Sequence, residues 1–126
     1  MNISQTTYSA VLGVVLANKR QLLGMDQSDM AAHMGLSQPS YSRLESGKSA
    51  FSIDQMYQAA LGLGIGGDEL ITALDIYVAN LRDNGVEVLP QLRGNTTKAK
   101  QGGTEMGALV VGAALGALLI GLMGKK

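Results

Sequence analysis

The chain has 126 residues, with ten lysines and arginines against ten aspartates and glutamates, and 46% of it is hydrophobic. That length holds one domain with a core of its own plus an appendage, not two full domains. With no cysteine, disulfides, thiolate metal sites and cysteine nucleophiles are excluded, and the single His33 lacks the partners that a metal centre needs. The charge is unevenly spread. Residues 1–83 carry Lys19, Arg20, Arg43, Lys48 and Arg82 against eight acidic side chains, so this part is slightly acidic where a nucleic-acid binder usually shows a basic footprint. The apolar run Val11 to Ala17 follows no positively charged segment, which argues against a secretory signal.

Apolar residues at Tyr8, Val11, Leu12, Val15, Leu16, Leu22 and Leu23 have the spacing of one buried helix face. Gly24 closes this first helix, and Asp26 caps a second, with Asp29 beside the positive end of its dipole and Met30, Ala31 and Met34 inward. Gly35 supplies a left-handed residue at its end, and Leu36 follows as a plug into the core. Ser37 caps a third helix with Pro39 in its first turn; it buries Tyr41 and Leu44 and stops at Gly47. Ser52 and Gln55 form a capping box for a fourth helix, stapled by Phe51 and Met56, whose inward set reads as Ile53, Met56, Tyr57, Ala60 and Leu61. Asp68 is expected to cap a fifth helix through Arg82, with Leu70, Leu74, Tyr77 and Leu81 on one side. Residues 84–105 turn to Asn, Gly, Pro, Thr, Lys and Gln and read as a linker, broken only by a VEVL run with strand character.

The run from Asp26 to Ile65 combines a short helix, a glycine turn, a second short helix, a glycine stop and a supporting helix. It resembles the lambda-repressor/Cro-like (XRE) helix-turn-helix family over about Tyr8 to Leu70, most specifically at Gln27, Ala31, Gly35, Leu36, Ser37, Leu44, Glu45 and Gly47. The resemblance implies an all-α, five-helix DNA-binding domain over residues 1–83, from a bacterial or phage setting. It implies that the third helix enters the major groove, with Gln38, Pro39, Ser42 and Arg43 at the bases and Gln27, Ser40 and Lys48 at phosphates. It also implies a structural ion pair between Arg20 and Glu45. Few free cations then remain on that face, so useful affinity is expected only from a homodimer on double-stranded DNA.

Met106 to Gly124 carries no charge, and as a helix it would span roughly 28 Å, near the thickness of a bilayer core. The expectation is a single transmembrane helix over 106–124, with Gly112 and Gly116 in GxxxG spacing for helix packing. Arg82, Arg93, Lys98 and Lys100 precede it and Lys125 and Lys126 follow, which favours a cytoplasmic domain held at the inner membrane. The same layout resembles the cell-shape adaptor RodZ, so the alternative to a membrane-anchored transcriptional regulator is a tethered adaptor for a membrane or cytoskeletal protein. No catalytic constellation, metal cluster or cofactor is expected. The GLGIGG run at 62–67 follows a helix rather than a strand, which removes its resemblance to a dinucleotide loop.

Overall fold

Side-chain caps set where most of the helices begin. In the computed structural model, which describes residues 4–91 and 109–123, α1 (Tyr8–Leu22) starts where the Thr7 hydroxyl accepts from the Ala10 amide. Helix α2 (Gln27–Met34) opens on a reciprocal capping box between Asp26 and Asp29, and ends at Gly35 in the left-handed conformation. Ser37 caps α3 (Gln38–Glu45), and Ser52 and Gln55 form the capping box of α4 (Ile53–Leu63). Helix α5 (Gly67–Asp83) starts two residues earlier than expected. Its N-cap is Gly66, with no side-chain hydrogen bond, while Asp68 and Glu69 lie in the first turn, favourable toward the helix dipole without capping it.

Leu12, Val15, Leu16, Met30, Met34, Tyr41, Leu44, Ala59, Leu63 and Leu70 form the main core between α1 and α5. Two expectations about its walls are corrected. Leu22 and Leu23 are exposed, because the inward row of α1 continues from Leu16 to Arg20 and the chain leaves the helix at Leu23. On α4 the buried residues are Ala59, Ala60 and Leu63, whereas Ile53, Tyr57 and Leu61 are 68%, 54% and 77% exposed. The reason is close approach: a Cβ on Gly62 would lie 3.0 Å from that of His33. Short side chains let α4 approach α2, and the bulky row is turned out.

Two short strands extend the domain beyond five helices. Gln5–Thr7 (β1) pairs in parallel with Glu87–Leu89 (β2), Thr6 opposite Val88, and both of these side chains are buried. A parallel pair needs a long crossover, here all five helices. Residues 86–89 therefore belong to the domain rather than to a linker; residues 92–105 lie outside those described. The opposite edge of β1 takes up the C-terminal segment. Leu109 bridges Gln5, the Val110 amide donates to the Gln5 carbonyl at 2.8 Å, and the Thr6 hydroxyl donates to the Val110 carbonyl at 2.6 Å.

The apolar tail differs most from expectation. It forms α6 (Gly112–Met123), 12 residues long and so about 18 Å. Its Leu115 and Leu119 are buried with Val11, Val78, Leu81, Val86 and Val88 in a second cluster. Among the described residues no helix is long and apolar enough to cross a membrane; residues 106–108 and 124 lie outside them. The two tail glycines stand in different surroundings. Gly112 takes φ +62° over the Ser46 carbonyl, and a Cβ on Gly116 would meet nothing within 4 Å.

Two glycine substitutions separate close packing from open space. A Cβ at Gly13 would collide with the Glu45 carbonyl, so Gly13→Ala is expected to cost about 1–3 kcal/mol in urea unfolding. Gly121 is helical with nothing within 4 Å, so Gly121→Ala should gain about 0.4–1 kcal/mol.

Candidate nucleic-acid interface

Helix α3 is divided lengthwise. Tyr41, Leu44 and Glu45 point inward, while Gln38, Pro39 and Arg43 are exposed and Ser42 is half-buried. Lys48 is exposed just past the helix, and Ser40 is half-buried. The Ser40 hydroxyl accepts from the Ser37 hydroxyl at 3.0 Å and from Arg43 Nη2 at 3.5 Å. Pro39 near the start of the helix costs no hydrogen bond, because the first amides have no partner within the helix.

What fixes this helix is the carboxylate of Glu45. Arg20 donates to it through two nitrogens, Nε to Oε2 at 2.7 Å and Nη2 to Oε1 at 2.9 Å, and both residues are buried. The Tyr41 hydroxyl donates to Oε2 at 2.8 Å and Gln27 Nε2 to Oε1 at 2.7 Å. Arg20 also donates through Nη1 to the Met25 carbonyl at 2.9 Å, tying down the turn between α1 and α2. A carboxylate only accepts, so Gln27 must face it with its amide nitrogen. The Gln27 oxygen then faces Gln38, whose Nε2 donates to it at 2.7 Å. An ordered relay thus runs from Arg20 through Glu45 and Gln27 to the outward amide of Gln38.

Burial alone would raise the Glu45 pKa, but the hydrogen bonds from Arg20, Gln27 and Tyr41 outweigh it and hold the carboxyl below the usual range. The Arg20 guanidinium is raised in turn, first by its hydrogen bond to Glu45. The Tyr41 phenol is pushed far up, by burial and then by the negative charge of Glu45.

The structure places the sequence-derived residues unequally. Gln38, Pro39, Ser42 and Arg43 share the outer side of one helix, with Ser40 and Lys48 near them. Gln27 differs, because its side chain is engaged with Glu45 and Gln38, while its backbone amide in the first turn of α2 has no partner within the helix. Sequence reasoning missed Tyr41 as a partner of the ion pair. The i, i+4 spacing of Tyr41 and Glu45 on one helix was the available signal.

Residues 16–70 match the family model described as helix-turn-helix, HTH_3. Among solved structures, the clp gene regulator ClgR from Corynebacterium glutamicum is similar with a TM-score of 0.58 and 19% identity, over 61% of this chain and 82% of that one. A second structure of ClgR gives 0.51 and 20%, over 54% and 88%. A mutant of the restriction-modification controller protein C.Esp1396I gives 0.55 and 19%, over 57% and 94%. At these identities the likeness is one of fold. No curated protein matches the sequence.

The Glu45 relay has a pH signature. Because the folded carboxyl lies below its ordinary value of 4.5, the unfolded chain takes up its proton first as pH falls. The stability from the pair is complete above that value and is lost as pH drops through the folded one. At the alkaline end the raised Tyr41 phenol acts oppositely, and its contribution, complete below the ordinary value of 10.0, declines above it. In urea titrations across pH, Glu45→Gln should lack the acid limb and lose about 3–5 kcal/mol at neutral pH, and Tyr41→Phe should lack the alkaline one. The capped helices α2 and α3 form a helix-turn-helix arrangement, and they lie within the stretch 16–70 that the family model matches.

Proposed function

We propose that this chain is a sequence-specific DNA-binding transcriptional regulator that reads the major groove with α3. The observation that carries this reading is the relay ending at Gln38. Its amide has two hydrogens and a carbonyl oxygen; one hydrogen is held by Gln27, which leaves a donor and an acceptor facing out. That is the pattern complementary to adenine N7 and N6, while the exposed Arg43 matches guanine O6 and N7. Pro39 and Ser42 lie beside them, Pro39 suited to a thymine methyl. Ser40, Lys48 and the first-turn amide of Gln27 serve phosphates. The similar solved structures include proteins described as a gene regulator and a restriction-modification controller, which supports a regulatory role.

Arg20 is neutralised within the domain, so the groove face offers few free cations and a monomer binds weakly at physiological salt. The functional form is a homodimer that joins two half-sites. Selection from random duplexes at stated salt should therefore enrich a palindrome. Gln38→Ala and Arg43→Ala should each lose about 1–3 kcal/mol on it, and Lys48→Ala should flatten the salt dependence by about one unit of slope. Unchanged affinity in the double variant overturns the assignment of α3.

The proposal includes the membrane. Docked on the domain, the tail covers Leu115 and Leu119 but leaves Ile120 74% exposed, so docking satisfies only part of an almost wholly apolar segment. We assign residues 106–124 a second resting place across the inner membrane, with the domain cytoplasmic. Full-length protein should float with anionic vesicles. Ile120→Lys leaves the docked fold unchanged and adds about 2.5–3.5 kcal/mol to insertion, so it should stay in the aqueous fraction. A wild-type chain that does not float overturns the anchor.

A second reading, a tethered adaptor for a membrane or cytoskeletal protein, is favoured by the exposed row Ile53, Tyr57 and Leu61 on α4. Capture of such a protein that is independent of DNA and lost in Tyr57→Ala would select it over the first.

A further inference from the structure

Helix α6 lies along α1 without filling the space between them. A cavity of about 780 Å3 remains, within the roughly 300–1,000 Å3 of small-molecule sites. Residue size is the cause. From α6 it is lined by the small residues Gly112, Ala113, Gly116 and Ala117, with Leu119 and Ile120 at one end, and from α1 by Val14 and Ala17; a Cβ on Gly116 would stand in open space. The space is a groove open to solvent on one side, where Ala113, Ala117 and Gln21 are exposed.

The polar lining selects what fits. Asn18, Gln21, Gln27, Ser46 and Tyr77 contribute amides and hydroxyls, and among the described residues Glu45 is the one charged residue of the lining, with no lysine, arginine or histidine. The Glu45 oxygens already accept from Arg20, Gln27 and Tyr41. An anion entering the cavity faces that carboxylate with no free cation among the described lining residues to offset it. A cation finds the carboxylate already neutralised by Arg20. A neutral hydrogen-bonding head is better served. The Tyr77 hydroxyl accepts from Asn18 Nδ2 at 2.8 Å, so its own proton is directed elsewhere, and Gln21 is exposed beside it with both a donor and an acceptor.

We infer that the cavity between α1 and α6 is a binding site for an uncharged amphiphile, with a medium-length acyl or alkyl body between the two helices and a hydroxyl or amide head among these polar groups. Such a molecule touches both the tail and the domain, so it favours the docked tail by mass action. The site does not depend on whether the domain binds DNA.

The test uses full-length protein in detergent-free buffer, titrated calorimetrically with 1-decanoylglycerol below its aggregation concentration, with decanoate and decyltrimethylammonium as charged probes of the same chain length. Saturable one-to-one binding of the neutral probe is expected, at least about ten-fold tighter than either charged one, with slowed amide exchange over 112–123. Gly116→Leu places a side chain in the cavity and improves helix propensity, so it should keep the fold and abolish binding. Ala17→Leu, which fills the space from the α1 side, gives the same readout if the first variant does not fold. No binding of the neutral probe, equal affinity for all three probes, or undiminished binding in a folded cavity-filled variant overturns the site.

Discussion

Glu45 brings a charge into the interior of a small domain, where an ion costs several kcal/mol to desolvate and a pair recovers that cost only with good geometry and satisfied lone pairs. Here the geometry is good: two nitrogens of Arg20, the Tyr41 hydroxyl and the Gln27 amide all donate to the two oxygens. Replacement by well-packed apolar groups would cost little stability and often gains some, so the value of the pair lies in orientation. It fixes α1 against α3 at the one place where Gly13 lets the helices approach, and it fixes which way Gln27 faces. The direction of the exposed Gln38 amide follows from that.

The C-terminal segment supports the same helix from behind. Gly47, just past α3, has φ +84°, and a Cβ there would stand 3.0 Å from the Cβ atoms of both Ala10 and Val111. Val110 is held to β1 by its amide and its carbonyl, and β1 is held to β2. Val110 and Val111 are therefore part of what positions the end of α3. The fold thus joins the proposed reading surface to the tail through main-chain pairing and close packing, without a ligand in between.

The local signals were legible because each is a short-range competition for unpaired amides. Asp26, Ser37 and Ser52 cap the helices they precede, as read for them, and Gly35 has the left-handed conformation read for it. The outward side of α3 was legible for a related reason, since an eight-residue helix with Tyr41 and Leu44 inward leaves little choice. The inward face of α4 was not. It carries apolar residues on two sides, and only the distance to α2, set by Gly62 and His33, decides between them. The pairing of β1 with β2 joins residues more than 80 positions apart, beyond any local pattern. The tail was misjudged in its docked form for another reason: composition reports that a segment avoids water, not whether lipid or protein covers it.

That ambiguity is physical as well as interpretive. A tail of leucines throughout would seal against α1 and would also insert firmly into lipid. Glycine and alanine at Gly112, Ala113, Gly116 and Ala117 weaken both outcomes, since they leave the cavity beside α1 unfilled and lower the hydropathy that drives insertion. The docked form is anchored chiefly by Leu115 and Leu119, each contributing about 1.5–3 kcal/mol on burial. A ligand at one hundred times its dissociation constant adds about 2.7 kcal/mol to the state that binds it. On the proposals made above, occupancy of the cavity would weigh about as much as one anchoring leucine.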